Sequence, residues 1–150
     1  MGKKINFRAN NVYMFQLFKS YVHQSENKEF YVDGSFAEEK PGVIVDFRNI
    51  EHTYEIFNML GNSWGGWNTT PKSDVMCNVA KRWEDEYGAE IIDIGYDCID
   101  FRLSKKLSDK EIDALFDEIR ELNAEANCSG GFEELRTTIK EKGEFYLWWD

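Results

Sequence analysis

The chain has 150 residues, of which 42% are hydrophobic and 15% aromatic, and its formal net charge is −10. A chain of this length and apolar content is expected to fold as one domain with a substantial core, which excludes a disordered protein. Its apolar runs are far shorter than the roughly 20 residues of a membrane-spanning helix, and the N-terminus has no apolar stretch typical of a secretory signal. We therefore expect a cytoplasmic protein with no membrane partner.

Charge and cysteine content indicate which partners and which kinds of site to expect. The chain carries 28 acidic and 18 basic side chains, and such an excess of acid repels nucleic acid and attracts basic proteins. Its three cysteines lack a C-x-x-C spacing, which argues against a disulfide framework or a thiolate zinc site and fits a reducing compartment. We expect neither a metal nor a cofactor.

The N-terminal residues 1–25 differ from the rest because their charged side chains are all basic. Apolar residues recur at helical spacing after Asn10 and Asn11, which are suitable N-caps, as far as Val22. We interpret residues 1–25 as a basic N-terminal helix segment. The sequence leaves open whether it packs on the domain or docks elsewhere.

The next elements are two strands and two helices. Residues 29–33 and 42–47 are rich in β-forming side chains, and residues 51–60 form a short helix that ends at Gly61. A longer helix opens at Thr70-Pro71 and ends at Gly88. Its apolar stripe consists of Met76, Val79, Ala80, Trp83 and Tyr87.

The second half adds a hairpin, two helices and a last strand. The hairpin joins residues 89–94 to 98–103, and a helix follows from a capping box at Ser108 and Glu111 to about Asn123. After a final helix that ends at Gly143, the chain closes with the aromatic run FYLWW. A strand that is apolar on both faces belongs inside a covered sheet. The pattern predicts one α+β domain over residues 1–150, with a mixed sheet covered by helices and the C-terminal strand inside it.

The second half also resembles a known family. Trp83, Tyr87, Gly88 and Ala89 form a Trp-x-x-x-Tyr-Gly-Ala segment before a strand hairpin, and the chain ends in Trp-Trp-Asp. In these features, residues 64–150 are similar to an uncharacterised bacterial family that is catalogued as a domain of unknown function. After Cys128 this chain has Ser-Gly-Gly, where family members often carry an acidic stretch with proline. The resemblance implies a domain boundary and a bacterial or phage origin, and no catalytic residues.

An enzyme is the less favoured interpretation. Asp93, Asp97 and Asp100 cluster on the hairpin and could hold Mg²⁺ or supply an acid/base pair. The glycine-rich stretches match neither the P-loop nor the dinucleotide-binding pattern. We therefore predict no catalytic residues, and keep a carboxylate- or metal-dependent enzyme as an alternative.

Binding to a protein is the favoured interpretation. Trp64 and Trp67 lie in the loop SWGGWN, where glycines would let the rings reach the surface as interface anchors, and the acidic hairpin would steer a basic partner. We predict an acidic protein that neutralises a basic toxin or nuclease-like partner, as a bacterial toxin-immunity protein does. A phage anti-defence inhibitor or nucleic-acid mimic stays open, and so does the oligomeric state. The predicted binding residues are Trp64, Trp67, Glu84, Asp85, Glu86, Glu90, Asp93, Asp97 and Asp100.

Overall fold

The computed structural model describes residues 3–8, 30–33, 42–47, 50–66, 69–95, 97–126 and 131–149. These residues form strands, α-helices and two short 3₁₀ helices, named η1 and η2 here. In chain order the elements are β1 (Lys3–Arg8), β2 (Phe30–Asp33), β3 (Gly42–Phe47), η1 (Thr53–Glu55), α1 (Ile56–Leu60), η2 (Gly61–Ser63), α2 (Ser73–Tyr87), β4 (Ala89–Ile94), β5 (Cys98–Leu103), α3 (Asp109–Glu121), β6 (Glu125–Ala126), α4 (Gly131–Lys142) and β7 (Glu144–Trp148).

The strands form one sheet in the order β2-β3-β1-β4-β5-β7-β6. Strands β1 and β4 pair in parallel, whereas the other neighbouring strands pair antiparallel. The sheet is therefore mixed, and the prediction of an α+β fold is confirmed.

The last strand, β7, lies inside the sheet between β5 and the two-residue strand β6, as predicted. Phe145 and Leu147 are buried on one face, and Trp149, one residue beyond the strand, is 1% exposed. Tyr146 and Trp148 point to the opposite face and are half-buried. The aromatic end of the chain is thus part of the core on one face only.

The described α-helices pack on the sheet face that carries Phe101 and Phe145. The ring of Trp83 in α2 contacts both phenylalanines edge-on, with centroid distances of 5.4 and 5.8 Å. Helix α3 joins α2 through Glu118, which accepts a hydrogen bond from the Trp83 indole at 2.8 Å. Helix α4 contacts β7, and Phe132 in α4 packs on Phe116 in α3. None of the helices among the described residues is long and apolar enough to cross a membrane.

Strand β1 is the main departure from the predicted order. Residues 3–8 were assigned to a basic helical segment, but they form a strand between β3 and β4. Ile5 is fully buried, and the Lys3 amine lies 3.4 Å from the Glu90 carboxylate. The prediction was wrong for these residues because pairing on both sides outweighs the polar composition of the segment. The predicted helix from Asn10 to Val22 lies outside the described residues.

The start of α2 is a smaller correction. The helix begins at Ser73 rather than at Thr70-Pro71, since the carbonyls of Thr70 and Pro71 accept the Gly66 amide and belong to the preceding turn. Its predicted stripe is buried throughout, and Gly88 ends it in the left-handed conformation at φ 65°. Helix α3 begins with the predicted Ser108–Glu111 capping box. Strand β6 was not predicted.

Candidate partner-binding surface

Trp64, the predicted surface anchor, is buried. Its side chain is 1% exposed, and its indole N–H donates to the Gly95 carbonyl at 2.8 Å. The ring packs edge-on against Phe57 and Trp149, at centroid distances of 5.1 and 5.9 Å. The prediction of an exposed Trp64 ring is therefore wrong. Trp67, the second predicted anchor, lies outside the described residues.

Glycine in this loop allows the inward turn. Gly65 adopts φ +79°, and a Cβ atom built there would lie 2.1 Å from the Pro71 carbonyl oxygen. A residue with a side chain therefore does not fit at position 65, where the loop passes close to Pro71. The glycines that suggested an exposed ring thus allow a tight loop that folds the indole into the core.

The predicted acidic residues do not form one site. Glu84, Asp85 and Glu86 lie near the end of α2, on the helix-covered side of the sheet. Asp93 and Asp100 are directly opposite each other in the β4–β5 ladder, and Asp97 lies in the hairpin turn.

A β-bulge places Asp93 beside Asp100. The register shifts between Ile91 and Asp93, so that Ile91 still faces the buried Phe101 while Asp93 faces Asp100. Because Ile99 and Phe101 point towards the helices, Asp100 points to the opposite face. Asp93 and Asp100 are therefore separated by the sheet from the acids of α2. Within the ranges described above, no three His, Cys, Asp or Glu side chains are grouped closely enough to hold a metal ion.

A different group of side chains surrounds η1. The Glu55 carboxylate accepts the backbone N–H groups of Glu51 and His52 at 3.0 and 2.9 Å, which fixes the start of η1. The buried Thr53 hydroxyl oxygen accepts the Ile91 amide at 2.8 Å. The 3₁₀ helix is thus attached to the edge of β4, and this attachment directs the His52 ring towards α2.

His52 joins η1 to α2. Its Nδ1 atom lies 2.6 Å from Oε1 of Glu84, and its ring stacks on Tyr54 with a centroid distance of 5.1 Å and an interplanar angle of 12°. The hydrogen bond to Glu84 raises the pKa of His52 above its usual value of 6.5; burial opposes this shift, and the charges of Glu84, Glu55 and Glu51 add to it. This pair could not be predicted from local patterns, because its members are 32 positions apart.

These residues form a surface that combines rings and acids, named the His52 patch here. The His52 side chain is 44% exposed, and the Glu84 side chain is 19% exposed. Asp85 follows Glu84 in α2 and is exposed; burial raises the pKa of Tyr54, and the charge of Asp85 adds to this shift. The His52 patch consists of Glu51, His52, Tyr54, Glu55, Glu84 and Asp85.

Cys77 lies beside the patch without being an activated thiol. Its Sγ donates to the Tyr54 carbonyl oxygen at 3.4 Å, and burial raises its pKa. A raised pKa keeps the thiol protonated at neutral pH, whereas nucleophilic cysteines have a lowered pKa. The geometry gives Cys77 a packing role.

A cavity of about 570 Å³ lies between α1 and the start of α2. The buried rings of Phe57 and Trp64 contribute to its lining, together with polar groups of Asn58, Asn62 and Lys72. The cavity and the His52 patch therefore share α2, the cavity at the start of the helix and the patch near its end.

The comparisons with known proteins place these features in a family. Residues 48–150 match the model of a domain of unknown function, DUF4253. The match covers more than half of the chain. The chain belongs to the DUF4253 family. Neither the curated proteins nor the solved structures give a match.

The DUF4253 region is longer than the resemblance suggested. It begins at residue 48 rather than at about 64, and so it includes η1, α1 and the whole His52 patch. Strands β1, β2 and β3 lie before it. The surface described above therefore lies within the region that matches the family model.

The Trp-x-x-x-Tyr-Gly-Ala segment of this DUF4253 domain has a structural explanation. Trp83 and Tyr87 are buried in the core, and burial, together with the Glu118 charge, raises the pKa of Tyr87 to about 12. Gly88 is the left-handed residue between helix and strand, and a Cβ there would lie 2.1 Å from the Ser104 hydroxyl. Trp83, Tyr87 and Gly88 therefore serve to pack α2 on the sheet.

An acidic stripe on α3 was not predicted. Asp113, Asp117 and Glu121 are exposed and recur every four residues, so they lie on one side of the helix. The i, i+4, i+8 spacing was the signal that could have revealed it. Together with the His52 patch, it contributes to the negative surface of the domain.

Proposed function

We propose that this DUF4253 protein is an acidic binding protein that neutralises a basic protein partner, as a toxin-immunity protein does. The observation that carries the proposal is the His52 patch, where the part-exposed His52 ring stacks on the half-buried Tyr54 ring among four carboxylates. Acidic groups accelerate encounter with a basic protein, and aromatic groups prolong the complex. We predicted such a combination of aromatic and acidic groups for the tryptophan loop and the hairpin, but the groups that support the proposal lie on η1 and α2.

The partner side chain that suits this surface is arginine. A guanidinium group can stack on an aromatic face and pair with a carboxylate at the same time. Tyr54 offers the ring, while Glu51 and Asp85 are exposed and form no ion pair with another described residue. The patch can therefore accept cations without breaking an existing ion pair of these two acids.

A basic toxin is the partner class that we favour. Toxins that act on nucleic acids need a cationic surface, because they must bind phosphate groups. An acidic protein that covers this surface blocks the toxin stoichiometrically, without catalysis. The net charge of −10 supports this mode of action.

The acidic stripe on α3 supports a second candidate, an anti-defence inhibitor that mimics nucleic acid. Carboxylates four residues apart on a helix recur roughly every 6 Å along its axis, so the stripe is a regular row of negative charges, as a nucleic-acid backbone also is. A mimic would use Asp113, Asp117 and Glu121, whereas the favoured function uses the His52 patch. The two candidates therefore predict different sensitive residues.

Affinity capture with three matched baits tests the proposal. The baits are the native protein, a patch variant with Glu51→Lys and Asp85→Lys, and a stripe variant with Asp113→Lys and Asp117→Lys. Both variants change the net charge equally at exposed positions. We expect a basic protein that the native and stripe baits retain at moderate salt and that the patch variant loses.

The captured protein is then produced alone and together with each bait. A toxin should arrest growth when alone, and the native protein should relieve the arrest while the patch variant should not. Loss of capture only with the stripe variant would favour the nucleic-acid mimic. Equal loss with both variants would indicate unspecific charge attraction and would contradict the His52 patch as the binding surface.

A further inference from the structure

The strongest feature beyond partner binding is the way η1 is held between two elements. Thr53 attaches it to β4 through the Ile91 amide, and His52 attaches it to α2 through Glu84. Helix α1 follows η1 directly and forms one wall of the cavity, where Phe57 packs on Trp64. A change in either attachment would therefore affect the position of α1, which forms this wall of the cavity.

The surroundings of the Glu84 carboxylate favour a cation beside it. Its Oε1 atom contacts His52, while its Oε2 atom is buried and has no hydrogen-bond partner in the described part of the chain. A buried carboxylate oxygen without a partner is costly. A positive charge on His52 offsets part of this cost through a charge-assisted hydrogen bond.

We propose that the His52–Glu84 contact is a protonation-dependent latch that holds η1 and α1 against α2. With His52 protonated, the contact is an ion pair. When His52 loses its proton, a hydrogen bond to the carboxylate can remain, but the attraction between two opposite charges is lost. The proposal concerns the fold itself and does not depend on a partner.

The surroundings of the latch favour the protonated state. From its own segment Glu51 and Glu55 act on His52, and from α2 Glu84 does, so all of these charges raise its pKa. Tyr54 stacks on the ring, but burial raises its own pKa, as it does that of Cys77 on α2, and both groups stay neutral near pH 7. Among the described groups, Lys81 on α2 is a nearby cation that acts on Cys77. The latch is thus closed below the raised pKa of His52 and loosens as the pH rises through it.

Nuclear magnetic resonance titration of the full chain tests the latch. The chain has two histidines, His23 and His52, and His23→Gln assigns the two ring signals. We expect the pKa of His52 to lie above 6.5 and to fall in Glu84→Gln, which keeps the size of the side chain but removes its charge. Asp85→Asn is the matched control on the same helix and should change the His52 pKa much less.

Hydrogen exchange of the Ile91 amide reports the movement, because Thr53 is its partner. As the pH rises through the His52 pKa, its protection factor should fall by about two- to fivefold, the range that part-exposed ion pairs contribute. In Glu84→Gln this fall should be absent. The Leu103 amide donates to the Gly143 carbonyl at 2.8 Å rather than to a residue of η1, so it should keep its protection factor.

Three results would overturn the latch. The first is a His52 pKa at or below 6.5 in the native protein, and the second is a pKa that Glu84→Gln leaves unchanged. The third is an equal loss of protection at Ile91 and Leu103, since this would report the stability of the whole fold rather than a local opening.

Discussion

Replacement of Trp149 by alanine tests the packing of the chain's end. Trp149 is 1% exposed, its ring packs edge-on against Trp64, and its indole N–H donates to the Leu122 carbonyl at 3.0 Å. Removal of a buried tryptophan side chain costs about 3–5 kcal/mol, through lost burial and the cavity left behind. A domain with about 5–15 kcal/mol of stability should still fold. We therefore expect Trp149→Ala to lower the free energy of unfolding by about 3–5 kcal/mol.

The neighbouring Trp148 is the matched control, because it is half-buried and points to the other face of β7. Trp148→Ala should cost about 1 kcal/mol, as an average substitution does. Trp149→Phe keeps a ring but loses the hydrogen bond to Leu122, so it should cost about 1–2 kcal/mol. Urea unfolding followed by circular dichroism measures all three variants without using tryptophan as the probe. Equal losses for Trp149→Ala and Trp148→Ala would refute the one-sided core.

Three further predictions concern backbone, pH and helix capping. Gly65→Ala should lower the free energy of unfolding by more than about 2 kcal/mol, because it combines φ +79° with a contact at 2.1 Å to Pro71. Gly61→Ala, at φ +51° with open space around the new Cβ, should lower it by about 1 kcal/mol. Urea unfolding of the two variants would contradict us if the order of the losses were reversed. The folded-state pKa of Tyr87, about 12, is higher than its ordinary 10.0, so its stabilisation is complete below pH 10.0 and is lost as the pH rises towards 12. The stability difference between the native protein and Tyr87→Phe should shrink over that interval, and a constant difference would count against the raised pKa. Ser108→Ala should lower the free energy of unfolding by about 1 kcal/mol, because the Ser108 hydroxyl no longer accepts the Glu111 amide. Ser108→Gly should lower it by only a few tenths of a kcal/mol, because glycine is tolerated at the cap position. Equal losses in thermal unfolding would argue against the capping box.

Elements with a strong local signal were predicted well. Strands β4 and β5 have the predicted bounds, because apolar and polar residues alternate in β5 and a glycine-containing turn separates the two strands. The start of α3 was predicted for a similar reason, since Ser108 and Glu111 satisfy each other's backbone amides within one turn. In both cases the decisive interactions join residues that are close in sequence.

Strand β1 and Trp64 could not be predicted in this way. Strand β1 is stabilised by pairing with β3 and β4, which lie far along the chain. The direction of the Trp64 ring depends on the Gly95 carbonyl and on Trp149, neither of which is visible in the local sequence SWGGWN. Composition showed that aromatic and acidic side chains were available, but only long-range contacts decide which of them remain accessible.

The His52 patch lies close to the start of the region that matches the family model. Strand β4 is covered on one edge by two different segments: β1 pairs with Asp93 and Ile94, while Thr53 of η1 bonds the Ile91 amide. The DUF4253 match includes η1 but not β1. Because an uncovered strand edge invites pairing with other chains, both segments protect the same edge. The β-bulge lies between these two attachments. Both attachments join residues that are distant in sequence, so alternation of residue types alone does not reveal the position of the His52 patch.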